Sequence, residues 1–312
     1  MIRAVTGEMM NALVEEARGE PEVLERFSRS KFPKARAGSI FVGAGDSYAA
    51  ALAGFYAARG RHIALDPYAL GSAPGMARGR DVFLISVSGK TASNLGAARS
   101  VAGSARRMTA ITAVADSELA RLTDATVRLP MAYAPRRAGL LSFSLSLLAV
   151  LKIAGVAERC DFASALERAR RDRGKISMAP GTTYFLGNSL AYPAALYAAA
   201  KTYELLGATA HAELLEEFSH MELFSMRRSD SVNVFASFDP ADASGKLRSA
   251  LAGQGYDVSV IPDGGATDEE RLFHAVFVAQ LAVLDEAKRQ GLSEPSFMTS
   301  GGRLGVSDSM IY

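Results

Sequence analysis

A rhythm constrains this chain more than any single motif. Short runs of β-branched and apolar residues at 39–42, 62–65, 82–86, 108–114 and 125–129 are separated by stretches with helical apolar spacing. Parallel strands need a crossover of a dozen or more residues, usually a helix, so strand–helix alternation predicts a parallel sheet flanked by helices. A leading helical segment, with Met9, Leu13, Val14, Leu24 and Phe27 at helical spacing, precedes the series, and a long apolar helix at about 140–154 closes it. The charged stretch 158–175 predicts a solvent-facing helix whose arginines need no ligand. A second series follows, with strands expected at 183–186, 208–212, 232–236 and 257–261. Its opening matches the first: Phe41-Val42-Gly43 with Tyr48 and Ala49 corresponds to Phe185-Leu186-Gly187 with Tyr192 and Ala194, an offset of about 145 residues. That period is too long for a solenoid and implies duplication of a whole lobe. The expected fold class is α/β, with two doubly wound parallel-sheet lobes related by internal duplication. The expected segments are a helical stretch at 1–38, lobes at 39–157 and 180–312, and a connecting helix or linker at 158–179.

Composition narrows the partners. With 312 residues, 49% hydrophobic and 22% charged, the chain can bury a sizeable core. The net charge of +2 is spread without basic blocks, so no nucleic-acid partner is expected. No apolar run reaches the ~18–20 residues of a membrane span, and acidic residues occur throughout the first twenty positions, unlike a signal peptide. A cytoplasmic protein with no membrane partner is expected. Cys160 stands alone and forms neither an internal disulfide nor a cysteine-rich metal site; no metal and no cofactor are expected.

The strongest local signal is Ser86-Val87-Ser88-Gly89-Lys90-Thr91, which follows the strand at 82–85 and precedes a helix. Free backbone N–H groups, a helix dipole and hydroxyl donors together suit a phosphate. A second loop, Gly43-Ala44-Gly45-Asp46-Ser47-Tyr48, has the same strand-to-helix context and offers Ser47. Each alone also reads as ordinary turn and cap chemistry; two at the same edge of one sheet are harder to explain that way. The G-x-x-x-x-G-K-[ST] loop is absent and Gly43-Ala44-Gly45 has Tyr48 where a dinucleotide fingerprint has its third glycine, which disfavours ATP and NAD.

Here the chain resembles the sugar isomerase (SIS) family. Gly43-x-Gly45-x-Ser47-Tyr48 and Ser86-x-Ser88-Gly89-x-Thr91 look like the loops that grip the phosphate of a hexose phosphate there. The stretch from Phe185 through Tyr192-Pro193-x-Ala195-Leu196 to Lys201-x-x-Glu204 resembles the second lobe of the isomerase part of glucosamine-6-phosphate synthase. The second lobe has Ala236-Ser237-Phe238-Asp239 after its third strand in place of the S-x-S-G-x-T loop, so one phosphate site per chain is expected. The resemblance implies Gly45, Ser47, Ser86, Ser88, Gly89 and Thr91 as substrate-binding residues. It also implies Glu204 as the base and His220 as the ring-opening residue, sixteen positions apart, with His220 reaching a neighbouring subunit's site in a homodimer with composite sites. Taken without the resemblance, Glu204 reads as a surface carboxylate, and His211 is as visible as His220. Ala134-Pro135-Arg136-Arg137-Ala138 is similar to a segment of archaeal phosphoglucose/phosphomannose isomerases, which assigns Arg136 to the enediolate. The family's C-terminal lysine has no match, since the last lysine is Lys288; Arg303, read as part of a glycine-flanked loop, is the only cation of 293–312.

The resulting expectation is an aldose–ketose isomerase of a phosphosugar working through a cis-enediol. An amino-sugar phosphate deaminase and a non-catalytic sugar-phosphate sensor are the alternatives. A glutamine-dependent synthase is not expected, because the chain begins Met1-Ile2 with no N-terminal cysteine. The sensor ranks third, since about 35 residues before the first strand are too few for a helix-turn-helix domain.

Overall fold

The computed structural model describes residues 8–134, 138–156, 159–238 and 242–312. The described residues fall into two compact units, one of residues 23–156 and 301–312 and the other of residues 8–22 and 159–300. Helix α1 (Glu8–Ser28), with Pro21 inside it, contributes residues to both.

The first unit alternates as the rhythm requires: β1 (Ile40–Val42), α2 (Asp46–Ala57), β2 (Ile63–Leu65), α3 (Pro67–Ser72), β3 (Asp81–Ile85), α4 (Ala92–Val101), β4 (Arg107–Thr112), α5 (Glu118–Arg121), β5 (Ala125–Arg128) and α6 (Leu141–Ala154). The five strands are all parallel in the order β2-β1-β3-β4-β5. Both faces are covered, so β1 and β3 are buried at every residue. Ile40 and Val42 join Val82, Leu84, Leu95 and Ala98 on one face. Phe41 and Phe83, in register and stacked at 5.0 Å, fill the other. Helix α6 is apolar almost all round because it is buried, and it stops at Gly155 in the left-handed region (φ 71°).

The second unit continues with α7 (Phe162–Asp172), β6 (Thr183–Gly187), α8 (Tyr192–Lys201), β7 (Ala210–Glu213), α9 (Leu215–His220), β8 (Ser231–Phe235), α10 (Ala243–Gly253), β9 (Asp257–Ile261), α11 (Asp268–Arg289) and α12 (Ser296–Thr299). Its four strands are parallel in the order β7-β6-β8-β9, which repeats the first four positions of the other sheet. The charged stretch expected to face solvent is α7, which buries Phe162, Ala165, Leu166 and Ala169 and sets Phe162 edge-on to Phe273 of α11 at 4.9 Å. Arginines in and just after it pair within the protein. Arg168 donates to the Gly264 carbonyl and pairs with Glu270, and Arg173 pairs with Asp285.

One segment differs in kind from its expectation. Gly301 (φ 62°) caps a helix, α13 (Gly302–Ile311), so Arg303 lies in a helical first turn and not in a loop. Two glycines in that turn obscure the helix in sequence, because glycine disfavours helix interiors. This helix belongs to the first unit, where it packs on α4.

A titratable pair also joins α7 to α11. His274 is fully buried with Nε2 3.0 Å from Asp172 Oδ2, and Asp172 also pairs with Lys175. Burial pushes the imidazole below its ordinary value, against the pull of Asp172. Burial works to raise the Asp172 carboxyl, but hydrogen bonds from Lys175 and His274 hold it below its ordinary value. The unfolded chain therefore takes up a proton at His274 below about pH 6.5 that the folded chain resists, and one at Asp172 below about pH 4. The urea midpoint is expected to fall as pH drops from 7 to 5.5, and less so in His274→Gln. A flat wild-type profile over that range would refute this assignment.

Candidate functional site

The loop after β3 is built from its carbonyls outward. The Val87 carbonyl accepts from the Ala113 N–H (3.0 Å) and the Thr112 hydroxyl (3.1 Å), and the Gly89 carbonyl accepts from the Leu119 N–H (3.0 Å). The buried Asn94 amide donates to the Ile85 carbonyl at 3.2 Å. Ser86 and Ser88 are only 3% and 4% exposed. Ser86 Oγ lies 2.9 Å from Thr91 Oγ1 and accepts from the Gly89 N–H, while Ser88 Oγ accepts from the Lys90 N–H. Gly89 must be glycine twice over. Its φ is 63°, and a Cβ there would lie 2.1 Å from Ser117 Oγ.

Helix α4 starts at this loop without a cap. Thr91 stands at the N-cap position, yet its hydroxyl faces Ser86 and caps no N–H, and the first turn contains no acidic residue. Exposed Lys90 adds positive charge at an end of the helix that is already positive. That arrangement is unfavourable alone, and a bound anion is the kind of group that offsets it.

The second loop differs. Gly43 permits a close approach, since a Cβ on it would meet Ser47 C and O at 2.5 Å. Gly45 (φ 56°) is the N-cap of α2, and Asp46 supplies a negative charge in its first turn. The α2 dipole is thus answered by the chain itself, and half-buried Ser47 is what this loop can offer a ligand. The second unit repeats the same approach, since a Cβ on Gly187 would meet Ala191 C and O at 2.8 Å.

Glu204 and His220 both lie in the second unit. Helix α8 ends at Lys201, and the chain continues as a wider π-type turn, Thr202–Leu206, a device common at functional sites. Glu204 sits in that turn with its side chain 36% exposed, 2.5 Å from Nζ of Lys201, which is wholly buried. Lys201 also lies 5.3 Å from the Tyr197 ring centroid. A buried ammonium is costly unless paired, so this contact fixes both side chains. His220 closes the short α9, is 70% exposed, and stands 3.1 Å from Glu216. His211, the competing histidine, stacks on Tyr184. Arg136 lies outside the described residues.

Two structural features were not legible in the sequence: the burial of Lys201, named above only within the Lys201-x-x-Glu204 motif, and the surroundings of Tyr133. Lys201 is the first, because lysines are ordinarily exposed; the apolar run of α8 leading into it was the available signal. Tyr133 is the second. Burial, with the Tyr312 phenol nearby, pushes its own phenol up to about 12.

A sheet order of 2-1-3-4-5 with a glycine- and hydroxyl-rich loop and the uncapped α4 at its carboxyl edge defines a doubly wound α/β lobe. Residues 35–155 match the SIS domain, and the chain carries that domain in its first unit. No curated protein matches the sequence. Solved structures share the fold over both units. A glucosamine-6-phosphate deaminase from Thermotoga maritima matches with a TM-score of 0.71 at 22% identity, covering 90% of this chain and 95% of that one. Tagatose-6-phosphate ketose/aldose isomerase from Escherichia coli gives 0.65 at 18%, covering 93% and 91%. The C-terminal domain of glucosamine-fructose-6-phosphate aminotransferase from Francisella tularensis gives 0.66 at 18%, covering 88% and 94%.

Each hydroxyl bond to a charged phosphate is worth on the order of 1.5–3 kcal/mol. The Ser88→Ala/Thr91→Ala variant is expected to bind a hexose 6-phosphate about a hundredfold or more weaker by calorimetry. Unchanged affinity would remove the phosphate assignment.

Proposed function

We propose that the chain is a phosphosugar aldose–ketose isomerase that works through a cis-enediol. The observation that carries this reading is Glu204, a partly exposed carboxylate fixed by a fully buried lysine in a widened helical turn. Moving a proton between C2 and C1 needs one carboxylate of defined position, because misplacement by an ångström costs much of the rate. In this reading Ser86, Ser88, Gly89 and Thr91, with Gly45 and Ser47, hold the phosphoryl group. Glu204 carries the proton, His220 opens the ring and Arg136 steadies the enediolate. No metal or cofactor takes part in this scheme.

A second reading is amino-sugar phosphate deamination, favoured by the fold match to the T. maritima deaminase. It shares the enediol step and adds loss of ammonia. A non-catalytic sensor would have no use for the Lys201–Glu204 pair. We further propose a cytoplasmic homodimer in which His220 serves the neighbouring copy. Its exposure, and that of Met221 (52%) and Phe224 (83%) just after it, suits a face covered by a second chain. The repeated strand order and the matched Gly43 and Gly187 approaches support descent of the two lobes from one.

Turnover of hexose and hexosamine phosphates in deuterated water distinguishes these readings. The isomerase is expected to label the sugar at C2 without releasing ammonia, and Glu204→Gln to retain binding while losing about 10²-fold or more of the rate. Wild-type labelling by Glu204→Gln would place the base elsewhere, and stoichiometric ammonia from a hexosamine phosphate would select the deaminase. In sedimentation the active species is expected to be a dimer; a fully active monomer would contradict the role given to a second copy.

A further inference from the structure

We propose that the amino-terminal edge of the first unit's sheet, opposite the edge that carries the loop after β3, is a nucleic-acid-binding surface. It takes the phosphodiester backbone without reading the bases. The inference stands apart from the phosphosugar reading and uses none of the residues assigned to it. Six arginines carry it: Arg36, Arg61, Arg78, Arg80, Arg106 and Arg107, all exposed.

The strand register sets them in a row. Ile63, Ile40, Val82 and Met108 stand side by side across β2-β1-β3-β4. Two residues before them come Arg61, Gly38, Arg80 and Arg106, and the chain is knitted together there too. The Gly38 N–H donates to the Arg61 carbonyl (2.7 Å), Arg80 Nη1 to the Gly38 carbonyl (3.1 Å) and the Arg106 N–H to the Arg80 carbonyl (2.8 Å). Arg36 is tied in by the Ser39 N–H on its carbonyl (3.0 Å), and Arg78 by an antiparallel bridge to Ala105. Neighbouring strands lie about 4.8 Å apart, so the four spread their cations over about 14 Å. The arginines arrive on four separate segments, which is why no basic block shows in the sequence.

Little on this edge answers the charge. Asp81, its side chain 5% exposed, is spent on Arg106, and Asp124, at the β5 end, accepts the Met108 N–H at 2.7 Å. Among the described residues no carboxylate pairs with Arg36, Arg61, Arg78, Arg80 or Arg107. Helix C-termini attract cations only within the last turn, whereas Arg61, Arg106 and Arg107 lie past the ends of α2 and α4. None of the exposed large hydrophobic side chains lies on segments 34–39, 58–62, 78–81 or 102–107, so the surface lacks the apolar centre of a protein interface. A nucleic acid needs none, because its affinity comes from counterions released as protein cations take their place along the phosphates. Guanidinium forks bind phosphate oxygens in pairs, and a row of them matches a chain of phosphates.

The test is fluorescence anisotropy of a labelled oligo-dT titrated with the full-length chain across a range of salt concentrations. The Arg36→Gln/Arg61→Gln/Arg107→Gln variant removes exposed guanidinium groups that make no hydrogen bond or ion pair among the described residues. It is expected to bind about tenfold or more weaker, with the slope of log affinity against log salt flatter by about 2. Thermal melting checks its fold, and the three single variants give the same direction should the triple variant melt early. Arg171→Gln/Lys246→Gln/Arg248→Gln removes the same charge from exposed positions of the second unit and is expected to bind as the wild type does. Hexose 6-phosphate is expected not to compete. A wild-type chain that leaves the oligonucleotide free at low salt would overturn the proposal, as would equal weakening in both triple variants or displacement by hexose 6-phosphate. Tighter binding to phosphatidylserine vesicles or to poly-glutamate, lost in the first variant, would assign the edge to a membrane or an acidic protein and overturn the nucleic-acid reading.

Discussion

The loop after β3 owes its chemistry to where its carbonyl oxygens go. Parallel pairing of β3 with β4 runs up to Ile85 opposite Ile111, and the chain beyond keeps leaning on the same neighbour. Val87 bonds to Thr112 and Ala113, and Gly89 bonds to Leu119 in α5. With the Val87 and Gly89 carbonyls turned into the protein and the Gly89 and Lys90 N–H groups bonded to Ser86 and Ser88, the loop sets its hydroxyls at the start of an uncapped helix. Donors fixed in advance of binding are worth more than donors that must reorganise. The Gly89–Ser117 approach, too close for any side chain, keeps the loop in that arrangement.

The two units apply one device to different ends. Both begin with a strand, a glycine pressed against the next helix, and a helix start. In the first unit the following strand leads into hydroxyl residues; in the second the helix itself ends in a buried lysine and a wide turn that presents Glu204. Anion recognition and proton transfer ask for opposite things of a helix. The positive N-terminal end suits a phosphate, whereas a base needs a carboxylate held by a cation of its own. In the function proposed above, a fold that repeats one topology assigns each demand to a different terminus.

Polar groups in the cores follow the same economy of partners. Gln280 donates to Glu20 and to the Tyr197 hydroxyl, each at 3.1 Å, and Lys201 meets the face of the same tyrosine. Tyr197 therefore links the interior of the second unit to the residue that fixes Glu204. Burying these groups is tolerable because each has a partner, and partners with fixed geometry leave few alternative packings.

The sequence by itself determined the sheets. The nine strands among the described residues lie at the expected places because most are buried on both faces and read as apolar runs, and glycine and hydroxyl residues mark the turns. It also determined the loop from Ser86 to Thr91, a local feature whose donors come from consecutive residues. Tertiary structure alone decided what depends on distant partners. Lys201 is buried because α8 is enclosed, not because of its own character. The closing segment is a helix that travels with the first unit, although its glycines read as a loop and its position in the chain suggests the second. Local patterns record what a residue prefers; which groups meet is set by the sum of all the packing, and no window of sequence contains that sum.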